Sequence, residues 1–253
     1  MMAVGLFFLI SSFRLILGEE EGFIVGGDYV KNIKIFPHVA FLTLQVADSD
    51  DEYICGSSIL NQLILVTAAH CLDNIGTATA SVGNVDREKG KMYRVASFQQ
   101  HENWDTVNIN HDIALCRLRT PLKLGPTVKR VVLMKHPPKA RIADLAGWGV
   151  TDEEYYSDTV MLKHTRQKLW THEQCRRILH NSPKGTICGG ESRAKGDFAS
   201  SGDSGSGLLV DNKIIVGLVS YKDTSVSRSL VIYTDVSYFY DWIMQTSQRL
   251  TCS

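Results

Sequence analysis

An all-β domain closed by one C-terminal helix is the fold class this sequence predicts, on three observations. Short apolar runs rich in β-branched residues and leucine recur between clusters of Gly, Asp, Asn and Pro. No linker, repeat or low-complexity tract interrupts the chain beyond residue 23. A helical period surfaces only once, near the end.

The elements follow in order. "VAFLTLQV" (39–46), "SILNQLILVTAA" (58–69), "DIALCRL" (112–118), "KRVVLM" (129–134), "GLLV" (207–210) and "IIVGLVSY" (214–221) read as strands of a sandwich or barrel. In "DVSYFYDWIMQTSQRL", Val236, Phe239, Tyr240, Ile243 and Met244 fall at helical spacing, with Asp235 as N-cap. The first 18 residues form an apolar run interrupted by Arg14 and ending at Gly18. That run is too short for a comfortable membrane span and fits a cleaved secretory signal, although its start lacks Lys or Arg.

Composition narrows the class. The 253 residues carry 27 basic and 27 acidic side chains, so neither nucleic acid nor a membrane surface is an expected partner. Removing Arg14 and Glu19 to Glu21 leaves 26 basic and 24 acidic, a net charge of +2. Six cysteines, an even number, suit disulfides in an oxidising compartment. No C-x-x-C pair is present, and no metal or cofactor is expected.

Three short segments hold groups that could do chemistry: His70 in "TAAHC", Asp112 in "NINHDIAL" and Ser204 in "GDSGS". Each is weak alone. Acyl transfer by a serine requires a nucleophile, a base for its proton and an acid to orient that base. Chain order separates the folds that assemble them. The order here is His, Asp, Ser, whereas α/β hydrolases run Ser, acid, His and subtilisin-like enzymes Asp, His, Ser. His111 is a rival base, but on a strand beginning at Asp112 it would point to the opposite face.

With "IVGG" (24–27), "GWG" (147–149) and "CGG" (188–190) added in order, the chain resembles the chymotrypsin-like (trypsin-type) secreted serine proteases over residues 24 to 248. The resemblance implies two packed antiparallel six-stranded β-barrels, about 24–130 and 131–235, and a helix at about 235–248. Residues 1–18 would be a signal peptide and 19–23 a short propeptide. It implies a secreted, monomeric endopeptidase made as a zymogen, acting on proteins or peptides and open to protein inhibitors. Ser204 would attack, His70 would act as base, and Asp112 would orient it. The amides of Gly202 and Ser204 would form the oxyanion hole. Cleavage after Phe23 would free an Ile24 ammonium to pair with Asp203. Cys55–Cys71 and Cys175–Cys188 would be bridges. Cys116 and Cys252 are unusual, and a bond between them would need a Cα separation below ~7 Å.

The sequence also departs from the pattern. Phe23 stands where Arg or Lys usually precedes the cut, so either a chymotrypsin-like or other processing enzyme cuts there or the prosegment is trimmed stepwise. The specificity pocket maps to Phe198, Ala199, Ser220, Tyr221, Lys222 and Val231. Phe198 occupies the floor where trypsin-like members have Asp, while Lys222 and Val231 replace wall glycines. These imply a small or apolar P1 residue. Trypsin-like preference would require Asp197 at the floor instead. A binding protein with little activity is the alternative reading that a crowded pocket raises.

Overall fold

The computed structural model describes residues 24, 27–151, 159–179, 183–190, 197–222, 226 and 229–252. The signal, the propeptide and the Val25–Gly26 pair lie outside them. Strand β1 (Asp28–Tyr29) is followed by six strands that close into a barrel: β2 (Val39–Val46), β3 (Glu52–Ile59), β4 (Ile64–Thr67), β5 (Ile75–Val82), β6 (Lys91–Gln100) and β7 (Ala114–Leu118). Their spatial order is β2-β3-β4-β7-β6-β5, antiparallel throughout. β2 shows the alternation that drives closure. Ala40, Leu42 and Leu44 point into the barrel, while Val39 and Phe41 pack outward against Ala146 and Trp148.

The second half carries β8 (Val132–Leu133), β9 (Ile142–Gly147), β10 (Lys163–Lys168), β11 (Thr186–Gly189), β12 (Gly207–Val210), β13 (Ile214–Lys222) and β14 (Val231–Asp235). These and β1 form an eight-stranded sheet, ordered β1-β10-β9-β12-β13-β14-β11, with β8 parallel to β13. Trp170 N–H donates to Cys188 at 3.0 Å and Gly190 N–H to Lys168 at 3.0 Å. These bonds join β11 back to the end of β10, so six strands curl into the second barrel. β1 is near the start of the chain yet pairs with β10, which ties the N-terminal segment to the second barrel.

Two helical expectations change. A second helix, α1 (His172–Ile178), is present, started by a reciprocal capping box between Thr171 and Gln174. The terminal helix, α2 (Tyr240–Cys252), begins five residues later than the apolar spacing implies. Asp235 does not cap it. Its Oδ1 accepts from Ser237 N–H, Ser237 Oγ–H and Tyr238 N–H, which fixes a turn ahead of the helix. Met244, expected on the apolar face, is half exposed, while Ile243 and Thr246 face inward. Between the barrels lies a core of Ile64, Val66 and Leu115 from the first and Leu209, Ile215 and Leu218 from the second, with Phe239 and Ile243 beneath. The candidate site spans this seam.

Candidate active site

His70 opens a short 3-10 turn three residues after the end of β4, and Asp112 lies two residues before β7, which is paired with β4. That pairing brings the two side chains together. His70 Nδ1 lies 2.8 Å from Asp112 Oδ2, and His70 backbone N–H donates to Asp112 Oδ1 at 2.9 Å. An ionised carboxylate only accepts, so the ring proton sits on Nδ1 and Nε2 is left able to take a proton. Burial opposes charging of His70. The hydrogen bond and charge of Asp112, with a further contribution from Asp73, outweigh it, and the net shift is upward.

Asp112 is itself held from the second barrel. Ser220 Oγ–H donates to its Oδ2 at 2.5 Å, and Thr234 Oγ1–H to its backbone carbonyl at 2.7 Å. Ser220, expected in the specificity pocket, thus touches Asp112. Its place on β13 turns its hydroxyl toward Asp112. The rival base His111 lies outside the strand, at φ 58°. Its ring stacks on His101 with centroids 4.8 Å apart and meets Phe239 at 5.7 Å.

The loop that carries Ser204 docks on both barrels. Ser204 C=O accepts from Gly56 N–H of β3 at 2.8 Å, and Gly205 N–H donates to Val219 of β13 at 2.8 Å. Gly202 sits at φ 90°, where a side chain would be strained. Among the described residues, the amides of Gly202 and Ser204 donate to no protein acceptor. Ser204 and His70 line one cavity of about 330 Å³, shared with Leu44, Tyr53, Ile54 and Ile75. They are not hydrogen-bonded to each other in this arrangement, as is common before a substrate draws such groups together.

Asp203 is wholly buried behind the loop. Its Oδ1 accepts from Gly149 N–H at 2.9 Å and its Oδ2 from Ser200 N–H at 3.0 Å. Burial pushes its pKa up to about 6, against the pull of those two amides and of Lys222. A Cβ on Gly149 would stand 2.5 Å from the Asp203 carboxyl carbon, which explains the glycine in "GWG". Ile24 is buried, and the chain runs unbroken through it, so its nitrogen is an amide and the two peptide N–H groups occupy the carboxylate.

The remaining pocket residues divide. Phe198, Ala199 and Val231 are buried in one cluster with Val219 and Tyr233. Tyr221 packs elsewhere, against Leu230, Ile232 and the Cys175–Cys188 bridge. The Lys222 ammonium lies 4.6 Å from the centre of the Phe198 ring. Asp197 turns away: Thr165 Oγ1–H donates to its Oδ2 at 3.2 Å, and Gln167 Nε2–H to its carbonyl at 2.7 Å. Cys55–Cys71 and Cys175–Cys188 are bonded, with Cα separations of 6.3 and 5.7 Å, whereas Cys116 and Cys252 are both free. Cys55, His70 and Cys71 converge within 4.8 Å, but both sulfurs are committed to their bridge and cannot act as thiolate ligands.

Comparison with known proteins decides the family. The model of the Trypsin family matches residues 24–243. The chain belongs to the trypsin family. It is accordingly a chymotrypsin-like serine endopeptidase whose substrates are proteins. Hypodermin-B of Hypoderma lineatum is 34% identical to this trypsin-family chain over 242 residues, covering 92% of it and 90% of the relative. Granzyme B of Rattus norvegicus is 31% identical over 259 residues, covering 96% and 99%. The solved structure of HL collagenase superposes with a TM-score of 0.77 at 22% identity, over 88% of this chain and 98% of that one, and so supports the double-barrel fold of the trypsin family.

The contacts around the site that the sequence does not announce are those of Ser220 and Thr234 with Asp112 and of Gly56 with Ser204. These three are ordinary residue types whose importance comes from partners more than 100 residues away.

Proposed function

We propose that this endopeptidase is a secreted, monomeric enzyme made as an inactive precursor, with His70, Asp112 and Ser204 as its catalytic triad and a preference for small or short apolar P1 residues. The observation that carries the reading is the His70–Asp112 pair, 2.8 Å apart, on a cavity shared with Ser204. Ser204 Oγ attacks the scissile carbonyl as His70 Nε2 takes its proton. The C–O bond forms, and the oxyanion rests on the amides of Gly202 and Ser204. Collapse breaks the C–N bond while His70 returns the proton to the leaving amine, and water repeats the cycle on the acyl-enzyme. One oxyanion donor contributes roughly 100- to 1000-fold in rate.

Activation by a cut after Phe23 would release an ammonium at Ile24. A buried carboxylate raised to about 6 gains strongly from such a partner. Phe198 at the floor and Asp197 turned onto Thr165 argue against a basic P1. No helix of the described residues is long and apolar enough to cross a membrane.

The test uses the chain with Ile24 as its free N-terminus, treated with a fluorophosphonate probe and a peptide library. Labelling that disappears in Ser204→Ala is expected, with cleavage after small or short apolar residues. A folded sample without labelling would favour the binding-protein reading. Cleavage mainly after Arg would overturn the pocket assignment alone.

A further inference from the structure

Away from the triad, a cavity of about 300 Å³ opens where the end of β10 meets α1. Leu169, Trp170 and Ile178 form its apolar walls, and Lys168, Gln174 and Arg177 its polar rim. The walls are fixed in place. Trp170 Nε1–H donates to the Gly190 carbonyl at 2.9 Å and its backbone N–H to that of Cys188 at 3.0 Å, while the Cys175–Cys188 bridge ties α1 to β11. The charge around the opening is one-sided. Lys168 is exposed and pairs with no carboxylate among the described residues. The same holds for Arg176, on α1, and for Arg141, whose carbonyl accepts from Leu169 N–H at 2.9 Å. Arg177 meets only Glu173, in an exposed pair on one helix face that a ligand carboxylate can replace. The whole chain carries 27 basic and 27 acidic side chains, so this excess is local. Ile142, opposite Lys168 in the β9–β10 register, adds an apolar side chain that is 55% exposed. Tryptophan and arginine side by side, around a preformed hollow, are the residue types that anchor protein partners.

We propose that this cavity is a docking site for protein substrates, separate from the catalytic cleft. It takes an acidic polypeptide segment with an aromatic or large aliphatic residue between carboxylates. The apolar side chain enters against Trp170 and Ile178, and the carboxylates meet Lys168 and Arg177. A sulfated polysaccharide would satisfy the cations but leave the indole-walled hollow unfilled. From Gly205 the backbone ladder crosses β13, β14 and β11 to reach Trp170, on the order of 19 Å along the sheet. A segment docked there holds the substrate near Ser204 without touching the reacting bond, so it lowers KM and leaves kcat alone. The substrate role rests on the serine-peptidase reading given above, whereas the binding itself does not.

Binding is measured first, by fluorescence anisotropy, on the Ile24-started Ser204→Ala chain with a dye-labelled peptide, Gly-Asp-Glu-Phe-Glu-Asp-Gly. The same peptide with Gly in place of Phe and a sulfated oligosaccharide of similar charge are the controls. The Phe peptide should bind at least about tenfold more tightly than the Gly peptide, and a Lys168→Ala, Arg177→Ala double variant should lose at least about tenfold. Equal affinities for the two peptides, or an unchanged affinity in the double variant, overturn the proposal. So does an oligosaccharide that binds more tightly than the Phe peptide and displaces it, since the surface would then serve a polyanion. The chain with Ser204 intact is next assayed on a peptide it cleaves, joined on either side in turn to the acidic segment by a Gly/Ser spacer of about 20 residues, whose reach is ~25 Å. In one of the two arrangements KM should fall at least about fivefold with kcat within about twofold, and the gain should vanish in the double variant. An active chain with no such gain in either arrangement overturns the substrate role. A folded chain without Ser204-dependent fluorophosphonate labelling overturns the peptidase reading instead, and the anisotropy alone then decides the site. Thermal melting follows folding. If the double variant unfolds, Lys168→Gln alone decides, with a loss of at least about threefold expected and no loss overturning the proposal.

Discussion

At the scale of single residues, the proposed mechanism makes protonation of His70 the governing event. Its folded pKa lies above the ordinary histidine value of about 6.5, because Asp112 and Asp73 outweigh burial. As a base it must be neutral, so kcat/KM should climb through a titration centred above pH 6.5. Asp112→Asn should shift that limb downward and depress the plateau by several thousand-fold, through loss of the correct tautomer. A pH–rate profile of both chains checks this, and a parent limb below 6.5 would contradict it. The stability linkage has the opposite sense. A raised histidine contributes stability that is fully present below about 6.5 and lost as pH rises through its folded value. His70 therefore stabilises the fold most at the pH where the proposed mechanism can use it least. At this scale the sequence was highly legible, because His70, Asp112 and Ser204 each sit in a short contiguous motif. Ser220 and Thr234 were not legible. A serine and a threonine in strands carry no local sign that they face an aspartate more than 100 residues away.

At the scale of elements, strands were read more faithfully than helices. β2 and β12 coincide with apolar runs visible in the sequence, since alternation and β-branching are local properties. α1 does not stand out although "THEQ" spells a capping box, because seven residues hold too little amphipathic pattern. α2 starts later than its spacing implies because apolar side chains of the preceding turn, Val236 and Phe239, extend that spacing toward the N-terminus. The destination of β1 depends on a partner about 135 residues distant and has no local signature. Thr171 accepts from Gln174 N–H at 3.2 Å while the Gln174 side chain answers to Thr171 N–H at 2.9 Å. Thr171→Ala should cost about 1 kcal/mol of stability. Thr171→Ser should restore most of it in denaturant melts. Equal melts for parent and Thr171→Ala would show that the Cys175–Cys188 bridge alone holds the helix.

At the scale of the whole molecule, two buried groups oppose each other over one pH range in the uncut chain. Asp203 is raised to about 6, so the folded form holds its proton more tightly than the unfolded chain, and stability falls as pH rises from about 3.8 through 6. His38, 2% exposed where β2 begins, is lowered to about 4 by burial. Its contribution rises over about pH 4 to 6.5, because there the unfolded chain binds the extra proton. Each term is on the order of 3 kcal/mol. An uncut Ser204→Ala chain should lose stability relative to its Asp203→Asn derivative by roughly that amount between pH 4 and 6.5, measured by denaturant unfolding. Parallel curves would place the Asp203 carboxyl in a more solvated setting than this structure gives it. Removing the Asp203 penalty through an Ile24 ammonium also makes the cut chain more sensitive to acid than its precursor, since the His38 term is then no longer offset.

One further consequence lies in Cys116. Its thiol is completely enclosed in the first barrel, on β7 between Leu115 and Arg117, and burial pushes its pKa to about 12. A thiol so protonated does not alkylate while the barrel is closed. Cys252, exposed at the end of α2, alkylates freely and can be blocked first. Cys116 then becomes an internal clock. Where alkylation outpaces reclosing, each modification marks one parting of β7 from β4 or β6, its two neighbours in the barrel, so the lifetime of the scaffold behind the proposed site can be timed by mass in a sample that is never denatured.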